Sequence, residues 1–219
     1  MKVQRKEDCW YKEVCSYDSC INCIRYAEMK FLMEHSGIPK VKQKPVSLDP
    51  GVDYYAFCDL ADIKDTIVDY VNRENTHLYI CSEETGNGKT SWAIKILLKY
   101  FDEIWAGNGF RVRGLFVHVP TLLSKLKNFD DPLSFEYRRN LSQADLIVWD
   151  EIGDTGMSNY DYTQLIMILN DRMLSERSNI FTSNLSTKAD TVKHLGDRLS
   201  SRVWNTSEII ILKGKDRRN

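Results

Sequence analysis

The sequence is poor in the features that mark linker-rich, secreted or membrane-inserted chains. Its 219 residues include only five prolines and eleven glycines, too few for a disordered or low-complexity chain. No apolar run comes near the ~20 residues that cross a bilayer. The N-terminal stretch MKVQRKEDCWYKEVC carries no apolar segment behind its charges, so no secretory signal is visible. An excess of one charge is missing too: 30 Lys and Arg face 31 Asp and Glu, a formal net charge of −1. That excludes coating nucleic acid by bulk charge and leaves room for a local basic surface. The expectation is a soluble, cytoplasmic protein. With 42% hydrophobic residues it has material for one ordinary core and a small appendage.

The six cysteines are unevenly spread. Cys9, Cys15, Cys20 and Cys23 crowd the N-terminus, whereas Cys58 and Cys81 read as inert buried thiols. Clustered thiols in a cytosolic chain point to metal more than to disulfides. Cys20 and Cys23 form a C-x-x-C pair entering a predicted helix from Ile24 to Met33, which Gly37 would cap. Such a turn presents two thiolates to tetrahedral Zn²⁺, and Cys9 and Cys15 would complete the shell. A segment this short builds little core, so a metal staple has a physical purpose. Four unligated thiols are the alternative.

The stretch IPKVKQKPVSLDPG has three prolines and no apolar period and reads as a linker. It divides the chain into a Cys-rich domain, 1–45, and a larger domain, 46–219. In the larger part, apolar residues at helical spacing predict a helix over 59–72. Strands are predicted at 77–81, 114–119, 145–150, 179–184 and 209–212. Helices between them are predicted from Thr90 to about Phe101, from Pro120 to about Ser142, and over 162–174. This alternation implies an α/β fold, a mostly parallel sheet covered by helices on both faces.

Two strand ends carry the chemistry. Between the first strand and its helix lies Ser82-Glu83-Glu84-Thr85-Gly86-Asn87-Gly88-Lys89-Thr90-Ser91. Small residues let backbone N–H groups turn toward a phosphate, Lys89 reaches the terminal phosphates, and the Thr90 hydroxyl suits Mg²⁺. Thr85 to Ser91 are therefore the nucleotide-binding candidates. The full Walker A pattern has glycine where this chain has Glu83. Some sixty residues later, Leu146-Ile147-Val148-Trp149-Asp150-Glu151 ends a buried strand on two carboxylates. In the Walker B arrangement Asp150 serves the Mg²⁺ shell and Glu151 polarises the attacking water. Together the motifs predict a P-loop NTPase that hydrolyses ATP.

Asn184 ends the IFTSN strand and could sense a γ-phosphate; a turn-forming Asn is the alternative. Arg198 and Arg202 lie four apart on one helical face and could complete a neighbouring subunit's site, or form a solvated or ion-paired face. Arg172 reads as a structural ion pair.

The ordered set GNGKT, LIVWDEIG, IFTSN and LGDRLSSRV resembles the AAA+ ATPase domain of DnaC/DnaI-type replicative helicase loaders over roughly residues 50–213. The absence of a helical lid after Arg202 fits that family, and the compact N-terminus resembles bacteriophage-encoded versions. The resemblance implies that Lys89 and Thr90 hold ATP·Mg²⁺ and that Asp150 and Glu151 serve metal and water. It implies that Asn184 is the sensor and that Arg202, with Arg198, acts across a subunit interface in a spiral oligomer. It further implies that residues 1–45 grip a hexameric DnaB-type helicase. In one branch of the family this domain binds zinc, although the cysteine spacing here differs. Single-stranded DNA would run past Ser158 and Tyr160, and past Phe129 with Lys125 and Lys127. An aromatic, a hydroxyl and nearby lysines are what stacking and backbone contact require. Two other readings compete: an IstB-like transposase-helper ATPase, which shares the motifs, and a protein that sequesters a helicase with its ATPase vestigial. Origin melting lacks a duplex-binding domain after residue 213.

Overall fold

Five apolar runs form five strands: β1 (His77–Cys81), β2 (Gly114–His118), β3 (Leu146–Asp150), β4 (Ser178–Ser183) and β5 (Ser207–Ile211). A computed structural model describes residues 6–16, 20, 22–44, 46–73, 76–125, 132–154 and 156–216. The strands make one parallel sheet in the order β2-β3-β4-β1-β5. β1 to β4 are buried along nearly their whole length, as strands covered on both faces must be.

Side chains alternate between the two faces with the strand period of two. Leu78, Ile80, Leu146, Val148 and Ile180 point to one layer, while Tyr79, Cys81, Ile147, Trp149 and Phe181 point to the other. The first layer is closed by α1 (Ile24–His35), α2 (Tyr54–Asp65), α3 (Ile67–Asn72) and α4 (Lys89–Ile104). The second is closed by α5 (Val119–Lys125), α6 (Pro132–Gln143), α7 (Asn159–Leu174) and α8 (Lys188–Val203). α4 buries Trp92, Ile96, Tyr100 and Ile104 on one stripe, with Ala93, Leu97 and Phe101 beside it. Each such apolar side chain, fully buried, contributes about 1.5–3 kcal/mol.

Several boundaries differ from expectation for local reasons. The helix expected over 59–72 starts at Tyr54 and breaks at Thr66, whose amide and hydroxyl both donate to the Asp62 carbonyl, at 3.0 and 2.8 Å. α7 starts at Asn159 because Ser158 and Asp161 form a capping box. α8 kinks at Gly196 (φ 71°), and Arg198 and Arg202 both follow the kink. Cys81 is buried as expected, but Cys58 is exposed. Among the described residues Arg172 has no carboxylate partner. It is fully buried and donates to the carbonyls of Leu141, Ala144 and Ser178 and to Asn179 Oδ1, all at 2.7–2.8 Å. Asp145, the carboxylate in that region, is taken by Arg113 and Arg177 instead.

The N-terminal region is tied to this body. Met29, Leu32, Met33 and Ile38 enter the same core as α2 to α4. The Phe116 amide on edge strand β2 donates to the Ser36 carbonyl at 2.6 Å. Gly37 follows with φ 74°, and a Cβ there would sit 2.5 Å from the Phe116 carbonyl oxygen, so only glycine fits the approach. The hydroxyl of Tyr11, before α1, and the guanidinium of Arg25, in the first turn of α1, both donate to Asp102 on α4, and Arg25 lies 3.3 Å from the Tyr11 ring centroid. Tyr26 donates to Asp8 at 2.8 Å.

The four N-terminal cysteines do not form the expected zinc shell. Among the described residues, no three His, Cys, Asp or Glu side chains are grouped so as to hold a metal ion. The four thiols form no disulfide among the described residues and are partly buried. The anchoring that zinc would supply comes from the Tyr11–Asp102–Arg25 knot and the apolar face of α1.

Candidate functional site: a phosphate-loop cavity

The strand order places β1 between β4 and β5, while α4 carries the chain from β1 to the far edge at β2. Ligands in such sheets bind beyond the carboxyl ends of the strands, where connections diverge. A cavity of about 600 Å³ lies there. It is lined by Thr85 to Ser91 from the β1–α4 loop, by Glu151 and Asp154 after β3, and by Thr182 to Asn184 at the end of β4.

Gly86 and Gly88 take left-handed backbone angles (φ 70° and 110°) that turn the loop back onto the first turn of α4. Lys89 is 9% exposed, and its Nζ donates to the Glu84 carbonyl across the loop at 2.8 Å. Burial pushes the Lys89 ammonium below its ordinary range, opposed by Asp154, Cys81, Asp150 and Glu151. Asn87 donates to the Ser82 hydroxyl and braces the base of the loop. Glu83 stands at negative φ and turns outward, accepting from the Ser186 hydroxyl at 2.8 Å. This backbone therefore does not demand the glycine of the full motif.

Asp150, 3% exposed, accepts at Oδ1 from the hydroxyls of Thr90 and Thr182, each at 2.7 Å. One hydroxyl and one carboxylate side by side are a hard oxygen pair. Two protein ligands of this kind suit Mg²⁺, which takes the rest of its shell from phosphate and water. Glu151 projects at φ 61° with its amide donating to the Thr182 hydroxyl at 3.1 Å. Its carboxylate lies 2.9 Å from His118 Nε2, and His118 Nδ1 lies 2.8 Å from the Thr121 hydroxyl. Asn184 donates from Nδ2 to Asp154 Oδ2 at 2.5 Å and from its backbone amide to Oδ1 at 3.3 Å. Burial pushes the Asp154 carboxyl above its ordinary range, and nearby Glu151 adds to this.

The structure thus gathers Thr85, Gly86, Asn87, Gly88, Lys89, Thr90, Ser91, Glu151 and Asn184 around one space, with Asp150 behind Thr90. Arg198 and Arg202 do not line it. Arg202 is held by Asn170 and by the Arg198 carbonyl, the latter at 2.8 Å, and Arg198 is exposed. The Ser158 hydroxyl accepts from the Asp161 amide at 3.2 Å and donates to its carboxylate at 2.7 Å, and Tyr160 is half-buried in the first turn of α7. Phe129 and Lys127 lie outside the described residues, and Lys125 ends α5.

Three contributors were absent from the sequence reading. The stretch read as a linker walls the cavity with Val41, Val46 and Leu48, facing Ile94 and Leu98 of α4. His118 was passed over, although a polar residue ending a strand beside the DE strand was an available signal; the register pairs it with Asp150. Asp154 follows the DEIG run directly and drew no notice.

This geometry defines the class: a five-stranded parallel α/β fold with a glycine-bearing, phosphate-loop-like turn between β1 and α4. No protein-family model matches the chain, and no curated protein matches it in sequence. Solved structures do. The DnaC helicase loader superposes with a TM-score of 0.65 at 19% identity, over 80% of this chain and 100% of that one. DnaI gives 0.64 at 19% identity, over 81% and 96%. The replication initiator DnaA bound to AMPPCP and single-stranded DNA gives 0.53 at 17% identity, over 80% and 50%. At these identities the likeness is one of fold. Among the described residues no helix is long and apolar enough to cross a membrane.

Proposed function

We propose that this protein is an ATP-controlled loader that binds a hexameric DnaB-type replicative helicase and sets it on single-stranded DNA. One observation carries the reading. The phosphate loop, the Thr90–Asp150 pair, Glu151 and Asn184 converge on one cavity, in a fold matching the whole solved chain of the DnaC helicase loader.

In this reading Lys89 and the α4 N-terminus bind the phosphates of ATP, and Thr90 and Asp150 hold Mg²⁺. The bound ion would neutralise phosphate charge. Glu151 orients and polarises a water, and Asn184 reads the terminal phosphate. Arg202, with Arg198, acts on the nucleotide of the next subunit in an open spiral, a role supported by their position outside their own chain's cavity. Residues 1–45 carry the helicase contact. Ser158, Tyr160 and Phe129 line the DNA path, with the Ser158 hydroxyl doubling as the cap of α7. The switch rests on differences in binding among ATP, ADP and empty states.

Mass photometry of the full chain with its cognate DnaB-type helicase, with and without ATP and a single-stranded oligonucleotide, tests the reading. A defined complex whose assembly responds to ATP, and loses that response with Lys89→Ala, is expected. No complex under any nucleotide condition would sink it and favour the transposase-helper class.

A further inference from the structure

Each group assigned to the terminal phosphate already has a partner inside the chain. Glu151 meets His118, and Asn184 meets Asp154 through both its side-chain and backbone N–H groups. The second pairing sits on a rigid frame. The Ile152 amide donates to the Thr182 carbonyl at 2.9 Å, the Ser183 hydroxyl donates to the Ile152 carbonyl at 2.6 Å, and the Leu185 amide donates back to Ser183 Oγ at 3.2 Å. Gly153, at φ 88°, is pressed so close that a Cβ would lie 2.6 Å from Leu185 Cδ1. The turn carrying Asp154 and the strand end carrying Asn184 are one clamped unit. Rotation of the Asn184 amide is the freedom that remains.

We infer that Asp154 is a positioning residue that latches the Asn184 amide and so holds down the site's affinity for a nucleotide with a third phosphate, leaving its affinity for a diphosphate unaffected. This rests on the ATPase reading above. A hydrogen bond to a carboxylate is roughly twice as strong as one between neutral groups. The amide exchanges it only for another anionic oxygen. A γ-phosphate supplies such an oxygen, and ADP, which ends one phosphate earlier, does not. Part of the binding energy of the third phosphate is spent on releasing Asn184. Removing the latch returns it.

The test is calorimetric titration of the full-length protein with AMPPCP and with ADP, for wild type, Asp154→Ala, Asn184→Ala and the double variant. Asp154→Ala is expected to tighten AMPPCP about tenfold, equivalent to about 1.4 kcal/mol, with ADP unchanged. In the Asn184→Ala background the same substitution is expected to do nothing selective. A selective gain that persists without Asn184 would mean plain charge repulsion by Asp154 and would overturn the latch. An equal change for both nucleotides would overturn it too. Asp154→Asn, which keeps the side chain's size, is expected to give a smaller gain in the same direction. If the wild type binds neither nucleotide, the ATPase reading fails and takes this inference with it.

Discussion

His77 opens β1 at 1% exposure, with Nδ1 3.3 Å from Asn179 Nδ2 and, among the described residues, no hydrogen-bond partner at Nε2. Burial, with the charge of Arg172 acting in the same direction, lowers its pKa from 6.5 to about 4. Between those two values the unfolded chain takes up a proton that the folded chain refuses. Stability is therefore full above pH 6.5, falls as pH drops toward 4, and is not reduced further by this residue below that. At about 1.4 kcal/mol per pH unit, the loss across the window is about 3 kcal/mol. His77→Leu removes the proton acceptor and fills the site with apolar volume. Urea unfolding followed by tryptophan fluorescence at pH 7, 6, 5 and 4 reads the difference, because Trp149 is buried and donates to the same Asn179 at 2.9 Å. With a urea slope of about 2–3 kcal/mol/M, the wild-type midpoint should fall about 1 M further than the variant's between pH 7 and 4. Parallel pH profiles would refute the account.

Other perturbations test other parts of the molecule. Lys89→Ala removes the one ammonium of the phosphate loop, and calorimetry should find nucleotide affinity reduced about a hundredfold, equivalent to a charged hydrogen bond of about 3 kcal/mol. His118→Ala frees the Glu151 carboxylate, so phosphate release without DNA should rise several-fold; an unchanged rate would mean that His118 does not restrain Glu151. Arg172→Met strands the carbonyls of Leu141, Ala144 and Ser178. It should cost about 3–5 kcal/mol, a fall of about 10 °C in Tm by calorimetry. Gly37→Ala forces a Cβ to within 2.5 Å of a carbonyl oxygen at φ 74°. A cost of about 1–3 kcal/mol in chemical denaturation is expected.

What was legible in the sequence was local. Strand β1 was read residue for residue, because five buried residues in a row leave little ambiguity of type. The phosphate loop and the DE strand end were legible because each is a contiguous run whose composition answers directly to phosphate and metal chemistry. The capping box at Ser158 and Asp161 was equally local and was overlooked in favour of a DNA contact. The grouping expected of the four N-terminal cysteines is not seen among the described residues, for a different reason. Cysteine spacing says which thiols are near in sequence, whereas Tyr11 and Arg25 are held by Asp102, 91 and 77 residues away.

By itself the sequence determined the element types, the parallel α/β class and which loop lines the cavity at the carboxyl end of β1, since all three follow from short-range periodicity and loop composition. Tertiary structure alone decided which groups meet. Parallel pairing of the strands brings their carboxyl ends together, so that His118 meets Glu151, 33 residues apart, and Asp154 meets Asn184, 30 residues apart. It also turned a proline-punctuated stretch with no period of its own into a wall of the cavity, where Val41, Val46 and Leu48 line the same space as Ile94 and Leu98 of α4 and Leu48 packs against the core that α4 belongs to.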